Sequence, residues 1–99
     1  MNNSENGDEI TGGDAETLFE FPCTFPIKAM GRSIIGMEET IVEIVRKHTN
    51  EIDIVSVRTR LSAGGKYIGV TVTITARSKV QLDAIYMDLT AHPDVLMSY

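Results

Sequence analysis

Apolar and polar residues alternate along the segment 67–77, and this two-residue period predicts a β-strand with two unlike faces. One face would carry Ile68, Val70, Val72, Ile74 and Ala76, which suits a core. The other would carry Tyr67, Gly69, Thr71, Thr73, Thr75 and Arg77, which suits a surface. The sheet that contains this strand is therefore expected to cover a core on one side and to stay open on the other.

The preceding segment 52–62 alternates in the same way and predicts the partner strand of a β-hairpin. Its expected core side carries Val55, Val57, Thr59 and Leu61. The opposite side carries Ile54, Ser56, Arg58, Arg60 and Ser62. Gly64 and Gly65 stand between the two strands, and paired glycines favour a tight turn because they adopt positive φ at low cost.

Helical spacing flanks the hairpin on both sides. Upstream, Met37, Ile41, Ile44, Val45 and His48 fall on one face of a predicted helix. Downstream, Ser78 and Gln81 have the spacing of a capping box, and Leu82, Ile85, Tyr86 and Leu89 follow at helical intervals. The short apolar segments 23–31 and 93–99 end in turn or breaker residues and are predicted to be strands.

The predicted order β-α-β-β-α-β indicates a ferredoxin-like α+β fold with a four-stranded antiparallel sheet. Right-handed crossovers place both helices on one face of that sheet, and the expected strand order is 4-1-3-2. The helices would cover the isoleucines and valines. The face that carries the threonines, the arginines and Lys28 of the first strand would then be open to a partner.

Charge divides the chain into two parts. Residues 1–20 contain six of the 14 acidic residues and none of the nine basic ones, together with many Asn, Gly, Ser and Thr. Such a composition cannot offset its ordering entropy, so it predicts a disordered acidic leader over 1–20 and a single domain over 21–99. The domain is close to electrically neutral, which favours neither a strongly basic nucleic-acid binder nor an acidic mimic.

The remaining composition bears on localisation. Cys23 is a lone cysteine, no apolar run approaches 18 residues, and the N-terminus lacks the basic start and apolar block of a signal peptide. A cytoplasmic protein without a membrane partner is expected.

The segments "FPCTFPIKAMG", "IVEIVRKH", "SVRTRLSAGGKYIGVTVTITA" and "QLDAIYMDLTAHPDV" together resemble the YbeD family of small bacterial proteins of unknown function. The resemblance runs from Phe19 to Tyr99 and rests on order and spacing. It implies a ferredoxin-like fold similar to ACT regulatory domains, and genes often found near those of lipoate metabolism. It supplies no catalytic residues.

The similarity to ACT domains directs attention to the loop after the first strand, where those domains commonly bind small effectors. Candidate ligand-binding residues here are Gly31, Arg32, Ser33 and Gly36. The glycines would allow close backbone approach, Ser33 would offer a hydroxyl and Arg32 would bind a carboxylate. The same residues also suit an ordinary strand-to-helix turn with a capping serine, so both interpretations remain open.

The open sheet face is the second candidate. Its expected partner-binding residues are Lys28, Arg58, Arg60, Tyr67, Thr71, Thr73 and Arg77. They would bind a protein partner. The alternative is single-stranded RNA or another anionic ligand, but this face offers Tyr67 alone as an aromatic residue for base stacking. Arginines and threonines also simply keep an exposed sheet soluble.

Nothing in the sequence dictates a reaction. Cys23 alone cannot hold an iron–sulfur cluster, and His48 and His92 suit helix ends, so neither a catalytic residue, a metal site nor a cofactor is expected. The predicted function is a small non-enzymatic binding or regulatory domain that senses an effector or docks on a protein partner. Homodimerisation through the sheet or its edge strands is one expected mode of assembly.

Overall fold

The computed structural model describes residues 20–99, so the predicted acidic leader lies outside the described residues except for Glu20. The strands are β1 (Cys23–Arg32), β2 (Ile54–Leu61), β3 (Tyr67–Ala76) and β4 (Val95–Ser98). The helices are α1 (Met37–Arg46) and α2 (Lys79–Ala91), and a single 3-10 turn spans Glu51–Asp53. The element order predicted from the sequence is confirmed.

The four strands form one antiparallel sheet in the order β2-β3-β1-β4. This is the predicted strand order, and the α+β ferredoxin-like class is confirmed with it. The long central strands β1 and β3 pair over ten residues, from Cys23 opposite Ala76 to Arg32 opposite Tyr67. The two longest strands thus give the domain a rigid centre, on which side chains of both faces are held in fixed register.

The two helices begin in different ways. The N-cap residue of α1 is Gly36, whose φ of 84° is left-handed, and no side-chain hydrogen bond caps this helix. The N-cap residue of α2 is Ser78, whose Oγ accepts a hydrogen bond from the backbone N–H of Gln81 at 3.0 Å. The predicted Ser78 cap is confirmed, whereas a serine cap for α1 is wrong because the glycine conformation sets that turn.

The core lies between the helices and one face of the sheet. β1 and β3 contribute Ile27, Ala29, Val70, Val72, Ile74 and Ala76, all buried. The helices contribute Met37, Ile41, Val42, Ile44, Val45, Leu82, Ile85 and Leu89. Phe21 and Phe25 are partly buried and pack against this cluster at the start of β1. The alternation in β3 therefore separates core from surface as the sequence predicts.

The edge strand β2 departs from the prediction. Val57 and Leu61 lie on the helix side of the sheet, opposite Val72 and Ile68, yet both are exposed. Val55 is also exposed and sits where the β2–β3 register shifts, between Ile54 and Ser56. The expectation that these residues join the core is wrong because, within residues 20–99, the helices pack mainly on β1, β3 and β4 and leave β2 exposed.

Over residues 20–99, neither helix is long and apolar enough to cross a lipid bilayer.

Candidate functional site

We call the side of β1 and β3 opposite the helices the open face of the sheet. It holds a shallow depression of about 970 Å³. Register explains its composition: Thr71 of β3 lies between Lys28 of β1 and Arg58 of β2. Arg60 lies one row further along β2, opposite Gly69. Six of the seven predicted partner-binding residues line the depression, namely Lys28, Arg58, Arg60, Tyr67, Thr71 and Thr73.

Three of these residues are cations without a carboxylate partner in the described part of the chain. The ion pairs within residues 20–99 involve other side chains, and none reaches Lys28, Arg58 or Arg60. Lys66 stands in the adjoining β2–β3 turn and is also exposed. The open face therefore presents positive charges that no carboxylate of the described domain neutralises.

Sequence reasoning missed Tyr99, which extends the sheet beyond β4. Its backbone exchanges two hydrogen bonds of 2.8 Å with the backbone of Lys28. The Lys28 ammonium lies 5.9 Å from the centroid of the Tyr99 ring, within the range of a cation–π contact. The predicted antiparallel pairing of the last strand with β1 is the signal that could have revealed this contact. That pairing places Tyr99 beside Lys28 in the sheet.

Arg77 is the exception among the predicted partner-binding residues. Its guanidinium donates two hydrogen bonds to the carboxylate of Asp53, Nε to Oδ2 at 3.1 Å and Nη2 to Oδ1 at 2.8 Å. The Asp53 side chain is only 5% exposed, so this pair ties the end of β3 to the 3-10 turn. Arg77 does not line the depression, so the structure separates it from the other six predicted partner-binding residues.

The same pair links stability to pH. Its hydrogen bonds lower the pKa of Asp53 below the ordinary value of 3.8, although burial acts in the opposite direction. A carboxyl whose folded pKa is depressed stabilises the fold above its unfolded pKa. That contribution is lost as the pH falls from the ordinary aspartate range through the lower, folded pKa.

Two of the four candidate effector-binding residues, Gly31 and Arg32, already contact other residues of the domain. Gly31 and Arg32 belong to β1 rather than to the turn. The Arg32 guanidinium lies 3.5 Å from the Asp94 carboxylate, a contact of the kind that sequence reasoning assigned to a ligand. Gly36 has open space where a side chain would project, so its glycine is explained by the positive φ. Ser33 is held by its backbone N–H, which donates to the carbonyl of Lys66 at 2.9 Å.

We expect Gly31→Ala to lower the free energy of unfolding by about 1–3 kcal/mol, the usual cost of overpacking. A Cβ at this position would stand 2.9 Å from the Asp94 carbonyl oxygen and 2.9 Å from the Met37 sulfur, and the backbone atom cannot move cheaply. Urea denaturation monitored by circular dichroism measures the change. Gly64→Ala is the matched control, because its Cβ would meet nothing within 4 Å and should change stability by at most about 1 kcal/mol. Equal effects of the two substitutions would contradict this packing role.

The two histidines stabilise local structure at separate places. The His48 Nε2 lies 2.8 Å from the Asp88 carboxylate, and this hydrogen bond lowers the pKa of Asp88. The Gln81 side chain donates to the His48 carbonyl at 2.9 Å, so α2 is bound to the end of α1. His92 Nδ1 accepts a hydrogen bond from the backbone N–H of Asp94 at 3.1 Å, at the α2–β4 turn.

Comparison with known proteins places this geometry in a family. Residues 16–99 match the family model described as "Protein of unknown function (DUF493)". The chain belongs to this family. A UPF0250 protein of Paraburkholderia phytofirmans is 58% identical over 81% of this chain and 90% of its own length. A UPF0250 protein of Chromobacterium violaceum is 46% identical over 85% of this chain and 94% of the relative. The resemblance to the YbeD family is confirmed.

Two solved structures share the fold at low sequence identity. Protein HP0495 from H. pylori aligns with a TM-score of 0.64 at 9% identity, covering 94% of this chain and 98% of the other. The C-terminal domain of the MgtC protein from Mycobacterium tuberculosis aligns with a TM-score of 0.60 at 18% identity, covering 77% and 82%. At these identities the likeness concerns the fold alone.

Proposed function

We propose that the chain is a non-enzymatic binding domain that docks on an acidic segment of a partner protein through the open face of its sheet. The observation that carries the proposal is the set of cations Lys28, Arg58 and Arg60 around one depression, none of which has a carboxylate partner within residues 20–99. Groups of opposite charge on a partner would steer its approach and fix its orientation.

The open face supports this function better than the predicted effector loop does. At the loop, the Arg32 guanidinium already lies beside the Asp94 carboxylate. Met37 and the Asp94 backbone pack against Gly31 and leave no room there for a ligand. At the open face, by contrast, the threonines offer hydroxyls around the basic groups. Docking is therefore favoured over ACT-like effector sensing.

Binding of single-stranded RNA is a second candidate, which the position of Tyr99 favours. Together with Tyr67 it gives the depression two aromatic rings beside basic side chains, as a base-stacking surface needs. However, the middle rows of β1 and β3 carry Lys28, Thr71 and Thr73 rather than aromatic residues. Stacking positions are thus confined to the margin of the face, so an acidic protein segment is the better fit.

The proposal is tested by fluorescence anisotropy of the full chain with labelled probes. The first probe, which we call the block peptide, is an N-acetylated octapeptide of four glutamates followed by four valines. The second probe is the same peptide with lysine in place of glutamate. The third probe is an eight-nucleotide oligouridylate. We expect the acidic peptide to bind, the lysine peptide not to bind, and the affinity to fall as salt screens the charges. Equal binding of both peptides, or none by the acidic one, would overturn the proposal. Tighter binding of oligouridylate would replace it with the RNA function.

The natural partner is best sought first among proteins of lipoate metabolism, which the family resemblance suggests. Docking would then regulate the domain's partner by changing that partner's activity.

A further inference from the structure

Within residues 20–99, the two edge strands of the sheet are β2 and β4, and β2 has the longer exposed edge. β2 spans eight residues against four in β4, and every residue from Val55 to Leu61 is exposed. The sequence places no proline within β2. Protein edges are normally blunted by short length, proline, bulges or charge, because unpaired backbone groups invite another strand. In β2, two of these protective features are present: the charges of Arg58 and Arg60, and the bulge at Val55.

The register shows which backbone groups point away from the sheet. The Ser62 N–H donates to the Tyr67 carbonyl at 2.9 Å, and the Tyr67 N–H donates to the Ser62 hydroxyl at 3.1 Å, so the backbone N–H of Ser62 points toward β3. Because hydrogen-bonded and non-hydrogen-bonded pairs alternate in an antiparallel ladder, Arg60, Arg58 and Ser56 also direct their backbone groups toward β3. The backbone groups of Val57, Thr59 and Leu61 therefore point outward.

The side chains on this edge divide by face in the same period. Val57, Thr59 and Leu61 lie on the helix side, where Val57 is 37% and Leu61 58% exposed. Arg58 and Arg60 lie on the open face. An antiparallel strand added to this edge would place its apolar side chains against the first set. Its alternate side chains, two residues apart, would stand opposite the two arginines.

A second copy of the chain fits this edge poorly. The regular part of the strand runs from Ser56 to Ser62, between the bulge and the turn, and Thr59 is its centre. Pairing of this stretch with itself over its full length would bring Arg58 of each copy opposite Arg60 of the other. Like charges directly opposite each other destabilise a strand pair. The same arginines would stabilise a strand that carries carboxylates at those positions, so the charge selects the occupant.

We propose that the outer edge of β2 binds an extended segment of a partner protein as a fifth strand, with acidic side chains at alternate positions opposite Arg58 and Arg60. This inference rests on the proposed docking function and names its binding mode. The outward groups of Val57, Thr59 and Leu61 make the backbone hydrogen bonds, and the arginines select the acidic sequence.

The test compares two peptides of equal composition with the full chain. The alternating peptide is an N-acetylated octapeptide in which glutamate and valine alternate, and the block peptide defined above is its control. Strand addition predicts that the alternating peptide binds at least tenfold more tightly, because only it can present carboxylates on one face and valines on the other. Thr59→Pro removes one outward N–H and should weaken this peptide about three- to tenfold, whereas Thr59→Val keeps the N–H and should not.

A modified peptide keeps the test decisive if Thr59→Pro does not fold. The valines of an added strand would lie opposite Val57, Thr59 and Leu61, so their N–H groups would donate to the outward carbonyls of β2. N-methylation of the valines should therefore abolish the tighter binding of the alternating peptide. N-methylation of the glutamates should leave it intact. Unequal effects of the two modified peptides support strand addition.

The outcomes separate this inference from the proposed function. If the two peptides bind equally and neither Thr59→Pro nor valine methylation matters, strand addition is overturned while docking on the open face stands. If neither peptide binds, both proposals fail. If sedimentation shows a dimer that Thr59→Pro converts to a monomer, a second copy occupies the edge and the inference is overturned.

Discussion

Replacing Ile85 by alanine is expected to lower the free energy of unfolding by about 2–5 kcal/mol, the usual cost of truncating a large buried aliphatic residue. Ile85 is fully buried on α2, in the cluster that faces β1 and β3. The loss combines the hydrophobic transfer free energy with the cavity left in a close-packed core. Urea denaturation monitored by circular dichroism measures it.

Val80 provides the matched control on the same helix, because its side chain is 72% exposed. Val80→Ala should change the free energy of unfolding by no more than about 0.5 kcal/mol. If the two substitutions cost the same, the helix face that the structure assigns to the core would be wrong.

Reversing both arginines in Arg58→Glu/Arg60→Glu is expected to weaken binding of the block peptide about a hundredfold, roughly tenfold for each reversed charge. Both side chains line the depression and lack an ion pair within residues 20–99, so each reversal turns an attraction into a repulsion. Anisotropy titrations at low and high salt measure the loss, which should shrink at high salt.

Lys47→Glu and Arg58→Glu alone each change the net charge by −2, so this pair of single variants separates position from charge. Lys47 is exposed at the end of α1, in the layer that covers the other side of the sheet. Lys47→Glu should bind the peptide within a few-fold of the parent, as expected for long-range charge effects screened by salt, whereas Arg58→Glu should bind it about tenfold more weakly. Equal losses in these two single variants would show that overall charge, rather than the open face, attracts the peptide.

The two hairpin strands and the two helices were predictable because their apolar residues recur at a regular period, and β1 and β4 were predictable as short apolar segments between turn residues. The alternation in β3 separates residues such as Val72 and Ile74 from Thr71 and Thr73, and the structure keeps that separation. Ser78 predicts the start of α2, and its hydroxyl does accept the bond from Gln81. Local signals of this kind agree with the tertiary structure, which is why the ferredoxin-like class follows from the sequence.

The exposure of β2 was not predictable from its period. Alternation states which side of the sheet Val57 and Leu61 face, but coverage depends on where the connections place the helices. The helices pack on the neighbouring strands, so the helix side of this edge strand is exposed. A tertiary arrangement therefore overrides a correct local pattern.

The candidate site was predictable residue by residue where register alone decides position. Lys28, Arg58 and Thr71 meet because they share a row of the sheet. Arg77 leaves that group because Asp53, 24 residues earlier in the chain, binds its guanidinium. Tyr99 joins it through pairing with β1. Long-range contacts of this kind have no period in the sequence.

The most direct test of docking on the open face is an amide chemical-shift titration of the ¹⁵N-labelled full chain with the block peptide. Docking on this face predicts saturable shifts at the rows of Lys28, Thr71 and Arg58, with little change in α1 and α2. Shifts confined to the turn around Ser33 and Gly36 would contradict it and favour an ACT-like effector site. The absence of saturable shifts would also contradict it.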